Sequence, residues 1–234
     1  MNSDALLALQ LVDNDLDHLA GDRKRLPERT AVATATAAQK AWLADDARLR
    51  AAAEQASAEI AQAEREGADL DAKQSRLEAQ LKIVTTERQA EALSHEIANI
   101  RQHHSDLDDR ELAAMEAQGE AEAGLAALAE RRGEVDDAME MATADLDAAL
   151  ARLAADEAAL AGRRTAAEAA LTDEERTTYD SLRARFGGVG ICQLEGRRCT
   201  GCHLDLSATE ADVVHHAPPD ELPECPHCGR LIAR

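Results

Sequence analysis

The sequence predicts a mainly α-helical protein, in which a long antiparallel coiled-coil helical hairpin precedes a small β-rich C4 zinc ribbon. Hydrophobic residues make up 45% of the chain but aromatic residues only 1%, so its apolar content suits thin helices better than a large globular core. Apolar residues recur at steps of three and four over much of residues 1–171. Near the C-terminus, two C-x-x-C hooks begin at Cys199 and Cys225 and have the form of a structural zinc site.

The first predicted arm of the hairpin, about residues 1–84, begins with an apolar stripe formed by Leu9, Val12, Leu16 and Leu19. Pro27 interrupts this stripe and should kink or briefly break the helix, because proline lacks a backbone N–H. A 3.5-residue repeat with small residues at several seam positions then runs from Ile60 to Val84. This repeat favours a helix that supercoils against a partner helix.

The chain is expected to reverse near residues 84–88. Thr86, followed three residues later by Gln89, has the pattern of a capping box, which marks a new helix start. The two arms, about 1–84 and 86–171, are nearly equal in length, which predicts an antiparallel hairpin whose facing residues have numbers that sum to roughly 170. Facing pairs under this rule include Leu77 with Leu93 and Leu70 with Ile100. The alternative is one continuous helix that dimerises in parallel.

Three segments follow from these patterns: a hairpin over residues 1–172, a connecting helix over 173–186 and a zinc-ribbon domain over 187–234. A second capping box, Thr172 with Glu175, starts the connecting helix. The ribbon has 48 residues, too few for an apolar core that is stable alone, so we expect metal to be a condition of its folding.

The connecting helix carries Tyr179, Leu182 and Phe186 on one face and should end at Gly187 and Gly188. We expect this face to pack the ribbon against the end of the helical rod. The alternative is an exposed aromatic platform on which nucleic-acid bases stack.

Within the ribbon, the alternating residues Val189–Leu194 predict a strand that includes the fifth cysteine, Cys192, as a buried residue. A third capping box at Ser207 predicts a short helix through about His215. Further expected features are a helix end at Pro218 and Pro219, a strand around Leu222 and a strand over Leu231–Ala233.

The two hooks predict one structural Zn²⁺ ion bound by Cys199, Cys202, Cys225 and Cys228. Two residues between paired thiols allow a tight turn to aim both sulfurs at one ion, at about 2.3 Å each, and two such turns complete a tetrahedron. Gly201 and Gly229 are expected to supply the unusual backbone angles of these turns. Alternative ligands are His203, His215, His216 and His227. The other interpretation, two disulfides, lacks a secretory segment to support it.

The formal net charge of −20 disfavours nonspecific attraction to nucleic acid or to an anionic membrane over most of the surface. The charge is uneven, because residues 187–234 carry −3 and residues 1–186 carry −17. No apolar run approaches the roughly 18 residues of a membrane span, and Met1–Gln10 lacks the basic start of a signal peptide. These features predict a cytoplasmic protein with reduced thiols and without a membrane partner.

The sequence resembles a bacterial family with an N-terminal coiled-coil hairpin and a C-terminal C4-type zinc ribbon. The similarity spans essentially the whole chain and is carried by motifs that begin at Val84, Glu91, Ser105, Cys199 and Cys225. They read VTTER, EALSHEI, SDLDDRELAAME, CTGCHLDL and CPHCGRLI. Relatives in flagellated and chlamydial bacteria are associated with sigma-54 transcription and, in some cases, with flagellar messenger RNA. The resemblance therefore implies a regulatory protein that contacts transcription machinery.

Three classes of function fit these features to different degrees. The first is a non-enzymatic adaptor that binds a protein partner through the coiled coil, the ribbon or both. The second is a nucleic-acid binder in which Arg197, Arg198 and Arg230 form a small cationic patch, against the alternative that these arginines are solvated surface. The third, a zinc enzyme acting on a small-molecule substrate, is disfavoured because four thiolates leave no coordination position for water.

Overall fold

The computed structural model describes residues 1–218 and 222–233. Its helices are α1 (Ser3–Lys24), α2 (Pro27–Leu81), α3 (Glu87–Glu130), α4 (Arg132–Glu168), α5 (Asp173–Arg185) and α6 (Ala208–His215). Its strands are β1 (Ile191–Glu195), β2 (Arg198–Cys199) and β3 (Leu231–Ala233). Helices account for 78% of the residues, which confirms the mainly α-helical fold class.

The chain forms two compact units. The ribbon unit comprises Met1–Ala31 and Thr143–Arg234, and the hairpin unit comprises Val32–Ala142. The division into 1–172, 173–186 and 187–234 stays a prediction. The two units group the chain differently, because α1 and the C-terminal part of α4 fall in the same unit as the zinc ribbon.

Pro27 is the first residue of α2, and α1 ends at Lys24, so the predicted break is confirmed. A proline at this position costs little, because the first N–H groups of a helix have no intrahelical acceptor and the fixed φ of proline suits the helix. At the other end of α1, the Asn2 side chain accepts a hydrogen bond from the backbone N–H of Ala5 and caps the helix.

In the hairpin unit, α2 and α3 pack in antiparallel orientation. The expected pairs lie together in one cluster, in which Leu77, Ile97 and Ile100 are buried and Leu70, Leu81 and Leu93 pack against them. Farther along the pair the buried seam contains alanines: Ala56, Ala63, Ala114 and Ala121. An ion pair between Lys73 and Glu96, with 2.9 Å between nitrogen and oxygen, crosses the two helices. These contacts within the chain confirm the hairpin and exclude the single continuous helix.

The reversal lies between Leu81 and Glu87, as predicted, but its hydrogen bonds differ from those of a capping box. Thr86 is the N-cap residue of α3, yet its side chain accepts no capping bond from the backbone. Instead, the Thr86 hydroxyl donates to Oε1 of Gln89 at 2.6 Å. The sequence pattern therefore predicted the helix start correctly and its bonding wrongly, because the two side chains bind each other.

The second arm contains an interruption that the apolar pattern did not reveal. Helix α3 ends at Glu130, and the backbone N–H of Arg131 bonds to the carbonyl of Leu128 at 3.2 Å. The indole N–H of Trp42 donates to the same carbonyl at 2.9 Å, and the guanidinium of Arg132 lies 5.1 Å from the centre of the Trp42 ring. Trp42 on α2 therefore binds the backbone at the junction of α3 and α4.

In the ribbon unit, α5 and α6 begin with the predicted capping boxes at Thr172 and Ser207. The sheet has the strand order β2-β1-β3, with β1 antiparallel to β2 and parallel to β3. The expected strand around Leu222 is absent from the described residues, where Glu224 makes an isolated bridge with Leu231. The predicted role of Pro219 falls outside the described residues.

Candidate metal centre

Two knuckles of similar construction present the thiols. In the first, the backbone N–H of His203 donates to the carbonyl of Cys199 at 2.8 Å, and in the second, Gly229 donates to Cys225 at 2.8 Å. Each donor is the fourth residue after its cysteine and has a left-handed backbone, with φ of +61° at His203 and +72° at Gly229. The prediction for Gly229 is therefore confirmed. In the first knuckle a histidine adopts the conformation that was expected of a glycine.

Gly201 is needed for a different reason than the sequence suggested. Its backbone is not left-handed, so the expected unusual angle is wrong. A Cβ at this position would lie 2.7 Å from Cδ of Arg230 and 3.1 Å from Cβ of Cys192. Glycine is required here because the knuckle approaches the second hook and strand β1 too closely for a side chain.

The Sγ atoms of Cys199, Cys202, Cys225 and Cys228 all lie within 4.8 Å of one another. Those of Cys202 and Cys225 are 3.9 Å apart. A tetrahedral Zn²⁺ with bonds of about 2.3 Å would hold its sulfurs about 3.8 Å apart, so the arrangement fits this ion. Each of the five cysteines is free, and in the described residues these four form the one group of clustered metal-binding side chains. The chain thus contains a C4-type cluster consistent with one zinc ion.

The protein environment alone does not favour several thiolates in this cluster. Burial raises the pKa of the Cys199 and Cys225 thiols to about 12. Burial also raises that of Cys228, but hydrogen bonds from the backbone and side chain of Arg230 bring its pKa down to about 7. A bound cation would supply the positive charge that four thiolates need, and backbone N–H groups of the knuckles share in the compensation.

Strands β1 and β3 separate the metal cluster from a second apolar core. Ile191 on β1 and Leu231 and Ala233 on β3 pack with Leu6, Leu9, Leu171 and Tyr179. Cys192 and Ile232, which alternate with them along the strands, pack instead with the four clustered cysteines, Leu206, Ala211 and Val214. The two-strand ladder is therefore shared by both cores, and Tyr179 packs the ribbon against α1, as expected for the aromatic face.

Two buried polar residues of α1 fasten this arrangement, and sequence reasoning missed both. The Gln10 amide donates to the carbonyl of Gly188 at 2.8 Å, and its oxygen accepts from the N–H groups of Gly190 at 2.7 Å and Ile191 at 3.2 Å. These bonds fix the segment that enters β1. A usable signal was present, because Gln10 follows Leu6 by four residues and so lies on the apolar face.

Asp13 is the second of these residues, and its exposed fraction is 1%. Its carboxylate accepts from the Tyr179 hydroxyl at 2.7 Å and from Nε of Arg164 at 2.7 Å, and Nη1 of Arg183 lies 3.3 Å away. Burial, together with the hydrogen bond to Asp13, raises the pKa of Tyr179 well above its ordinary value, so the phenol stays a donor. Helices α1, α4 and α5 therefore meet at one carboxylate.

The three arginines proposed from sequence lie in different environments. Arg197 and Arg198 are exposed beside the first knuckle, and Nε of Arg198 donates to the carbonyl of His203 at 3.1 Å. Arg230 donates to the carbonyls of Val189 at 2.8 Å and Phe186 at 3.2 Å and stacks on the Phe186 ring. A nucleic-acid role for all three stays a prediction, and Arg230 also has a local structural role.

An antiparallel helical hairpin with a small sheet and four clustered thiols defines the class of coiled-coil hairpin proteins with a C4 zinc ribbon. The chain belongs to the family described as the CT398-like coiled coil hairpin domain, which matches residues 9–187. Residues 198–232 match the C4-type zinc ribbon domain. The family resemblance inferred from the sequence is confirmed. These matches do not show an association of this chain with sigma-54.

The similarity to proteins of this kind extends over the whole chain. The Mycobacterium tuberculosis protein Rv2229c is 28% identical over 241 residues, which cover 98% of this chain and 94% of that protein. A solved Mycobacterium smegmatis structure has 26% identity and a TM-score of 0.82, with 100% of this chain and 99% of that chain covered. CT398 from Chlamydia trachomatis has 20% identity and the same TM-score of 0.82, with 98% of this chain and 96% of that chain covered. At this identity the similarity indicates a shared fold only.

No helix among residues 1–218 and 222–233 is both long enough and apolar enough to cross a membrane.

Proposed function

We propose that the protein is a non-enzymatic adaptor that binds a protein partner through the coiled-coil hairpin, the zinc ribbon or both. The four-thiol cluster carries this proposal. Four cysteines already complete a tetrahedron, so the ion has no open position at which to activate water or substrate. The metal then has a structural role: it holds the ribbon against α1 and α5 through strands β1 and β3, which both cores share.

Apolar side chains exposed on the hairpin unit offer contact points for a partner. Ile83, in the turn between α2 and α3, is 79% exposed, and Leu112 and Met115 are exposed on one face of α3. Such residues are candidate anchors because a partner that covers them removes apolar surface from water. The partner class that we infer is a regulatory or transcription-related protein of the cytoplasm, a compartment that keeps the five free thiols reduced.

The test is affinity capture from an extract of the source bacterium with the full chain, followed by binding measurements on the purified candidate partner. Two variants would assign the surface: Ile83→Ser changes an exposed residue of the hairpin unit, and Arg197→Ala changes an exposed residue of the ribbon. We expect saturable binding by calorimetry that at least one variant weakens while the helical circular dichroism stays unchanged. Failure of every captured protein to bind saturably when purified would contradict the adaptor function.

A second candidate function is binding of nucleic acid by the ribbon, which the exposed guanidinium groups of Arg197 and Arg198 favour. Neighbouring acidic residues, such as Glu195 and Asp205, oppose this function. The test is fluorescence anisotropy with single-stranded RNA and duplex DNA between about 50 and about 200 mM salt. Binding that weakens steeply with salt, and is lost when both arginines are changed to alanine, would support it. Absence of binding at the lower salt concentration would exclude it.

A further inference from the structure

The fifth cysteine, Cys192, lies directly behind the metal cluster. Its Sγ is 3.5 Å from Sγ of Cys199, a shorter distance than the 3.9 Å between the cluster members Cys202 and Cys225. Strand β1 places Cys192 on the side of the sheet that faces the cluster, and its exposed fraction is 3%. Four other thiols already complete the tetrahedron, so the Cys192 sulfur contacts a ligand from outside.

The surroundings of Cys192 restrict where its thiol points. A Cβ on Gly201 would lie 3.1 Å from Cβ and 3.3 Å from Sγ of Cys192, so the absence of a side chain at that position leaves room for the sulfur. Two acceptors are within reach of the S–H group: the carbonyl of Leu231 at 3.3 Å and the sulfur of Cys199. When Cys199 binds a metal it is a thiolate, and an anionic acceptor is preferred over a neutral carbonyl.

We propose that Cys192 is a positioning residue of the zinc centre, whose thiol donates a hydrogen bond to the zinc-bound thiolate of Cys199. Strand β1, which carries Cys192, pairs with strand β2, which carries Cys199, so the Cys192 thiol reaches this sulfur from the neighbouring strand. Such outer-shell bonds orient a metal ligand and reduce the negative charge on its donor atom. The fifth cysteine thus tunes the metal site without binding the ion.

The test compares full-length Cys192→Ser, which retains a hydroxyl donor, with Cys192→Ala and Cys192→Val, which retain none. The first measurement is the sulfur-to-metal charge-transfer absorption of the Co²⁺-substituted protein. Without a donor the Cys199 sulfur is more electron-rich, so this band should move to lower energy in the alanine and valine variants and stay near the wild-type position in the serine variant. The second measurement is zinc affinity by competition with a chelator, which should fall by up to about ten-fold without a donor and recover with serine.

Helical circular dichroism and a metal content of one ion per chain verify that each variant is folded and loaded. Equal spectra and affinities for the wild type and all variants would overturn the proposal. So would a serine variant that behaves like the alanine variant, because the effect would then come from packing. Loss of one thiolate's share of the charge-transfer intensity in Cys192→Ala would show that Cys192 is itself a ligand, which also overturns the proposal. The valine variant keeps the test valid if alanine leaves a destabilising cavity.

Discussion

Replacing Asp13 by alanine should destabilise the ribbon unit far more than most single substitutions. The change removes a carboxylate that accepts from the Tyr179 hydroxyl and contacts the guanidinium groups of Arg164 and Arg183. Its partners belong to α4 and α5, so one substitution on α1 affects the contact between three helices. In the variant, the buried Tyr179 hydroxyl loses its acceptor.

The expected magnitude follows from burial. Asp13 is 1% exposed, while the Arg164 and Arg183 side chains are 30% and 25% exposed, so water screens the arginines only in part. Breaking a buried ion pair by removing one partner costs about 3–5 kcal/mol, and leaving a buried hydroxyl unsatisfied costs about 1–3 kcal/mol. These costs overlap and the arginines can turn toward solvent, so we expect a loss of about 3 kcal/mol in the free energy of unfolding.

The matched control is Asp17→Ala. Asp17 pairs with Arg183 at 2.6 Å, but its side chain is 58% exposed, and an exposed pair contributes at most about 1 kcal/mol. Urea unfolding gives the free energies, and native-state hydrogen exchange locates the loss. The Asp13 variant should lose protection in α1 and α5 while the hairpin unit keeps its protection.

Equal destabilisation by the Asp13 and Asp17 substitutions would refute this account, because burial would then not govern the energy of the network. A loss of protection confined to the hairpin unit would refute it as well.

Three further perturbations have defined outcomes. Cys225→Ser should abolish stoichiometric zinc binding. It should also lower hydrogen-exchange protection in the ribbon, α1 and α5 while the hairpin unit stays protected. Unchanged protection in α1 would refute the inference that β1 and β3 connect the metal cluster to the core around α1. Trp42→Phe should cost about 1 kcal/mol in urea unfolding through loss of its bond to the Leu128 carbonyl, against little change for the exposed control Leu43→Ala. Two backbone N–H groups lower the pKa of Glu175 below its ordinary 4.5. Its ionised form therefore stabilises the fold fully above pH 4.5, and this contribution is lost as the pH falls through the lower pKa of the folded state. The stability deficit of Glu175→Gln should therefore disappear on acidification, and a constant deficit down to strongly acidic pH would contradict this.

The elements that were predicted correctly are those determined by residues close to one another in the sequence. Pro27 breaks the first helix because of its own ring. The capping boxes at Thr172 and Ser207 each form with a glutamate three positions later. Thr86 shows the limit of this reasoning: its box marks the right position, but the threonine and glutamine side chains bind each other. The interruption at Arg131 has no proline to reveal it, and its partner Trp42 lies in the other helix.

The clustering of four cysteines in the candidate metal centre was predictable from the sequence, but the contacts that support the cluster were not. Two C-x-x-C hooks identify the clustered thiols because the short spacing alone fixes the turn. Gly201 is constrained by its close approach to Arg230 and to Cys192 on strand β1, and not by the backbone angle that the sequence predicted. Only the folded chain shows that Cys192 reaches Cys199.

By itself, the sequence determined the helical hairpin, its approximate point of reversal and the four thiols of the zinc ribbon. Apolar periodicity and hook spacing act over a few residues and are written directly in the chain. The tertiary structure alone decided that Gln10 on α1 binds the segment that enters β1 and that Asp13 joins α1 to α4 and α5. It also decided that β1 and β3 contribute to two cores at once. The bonds of Gln10 to the β1 segment and of Asp13 to α4 and α5 join residues more than 150 positions apart. A buried polar side chain is stable only where partners satisfy its hydrogen bonds, and here those partners are distant in sequence.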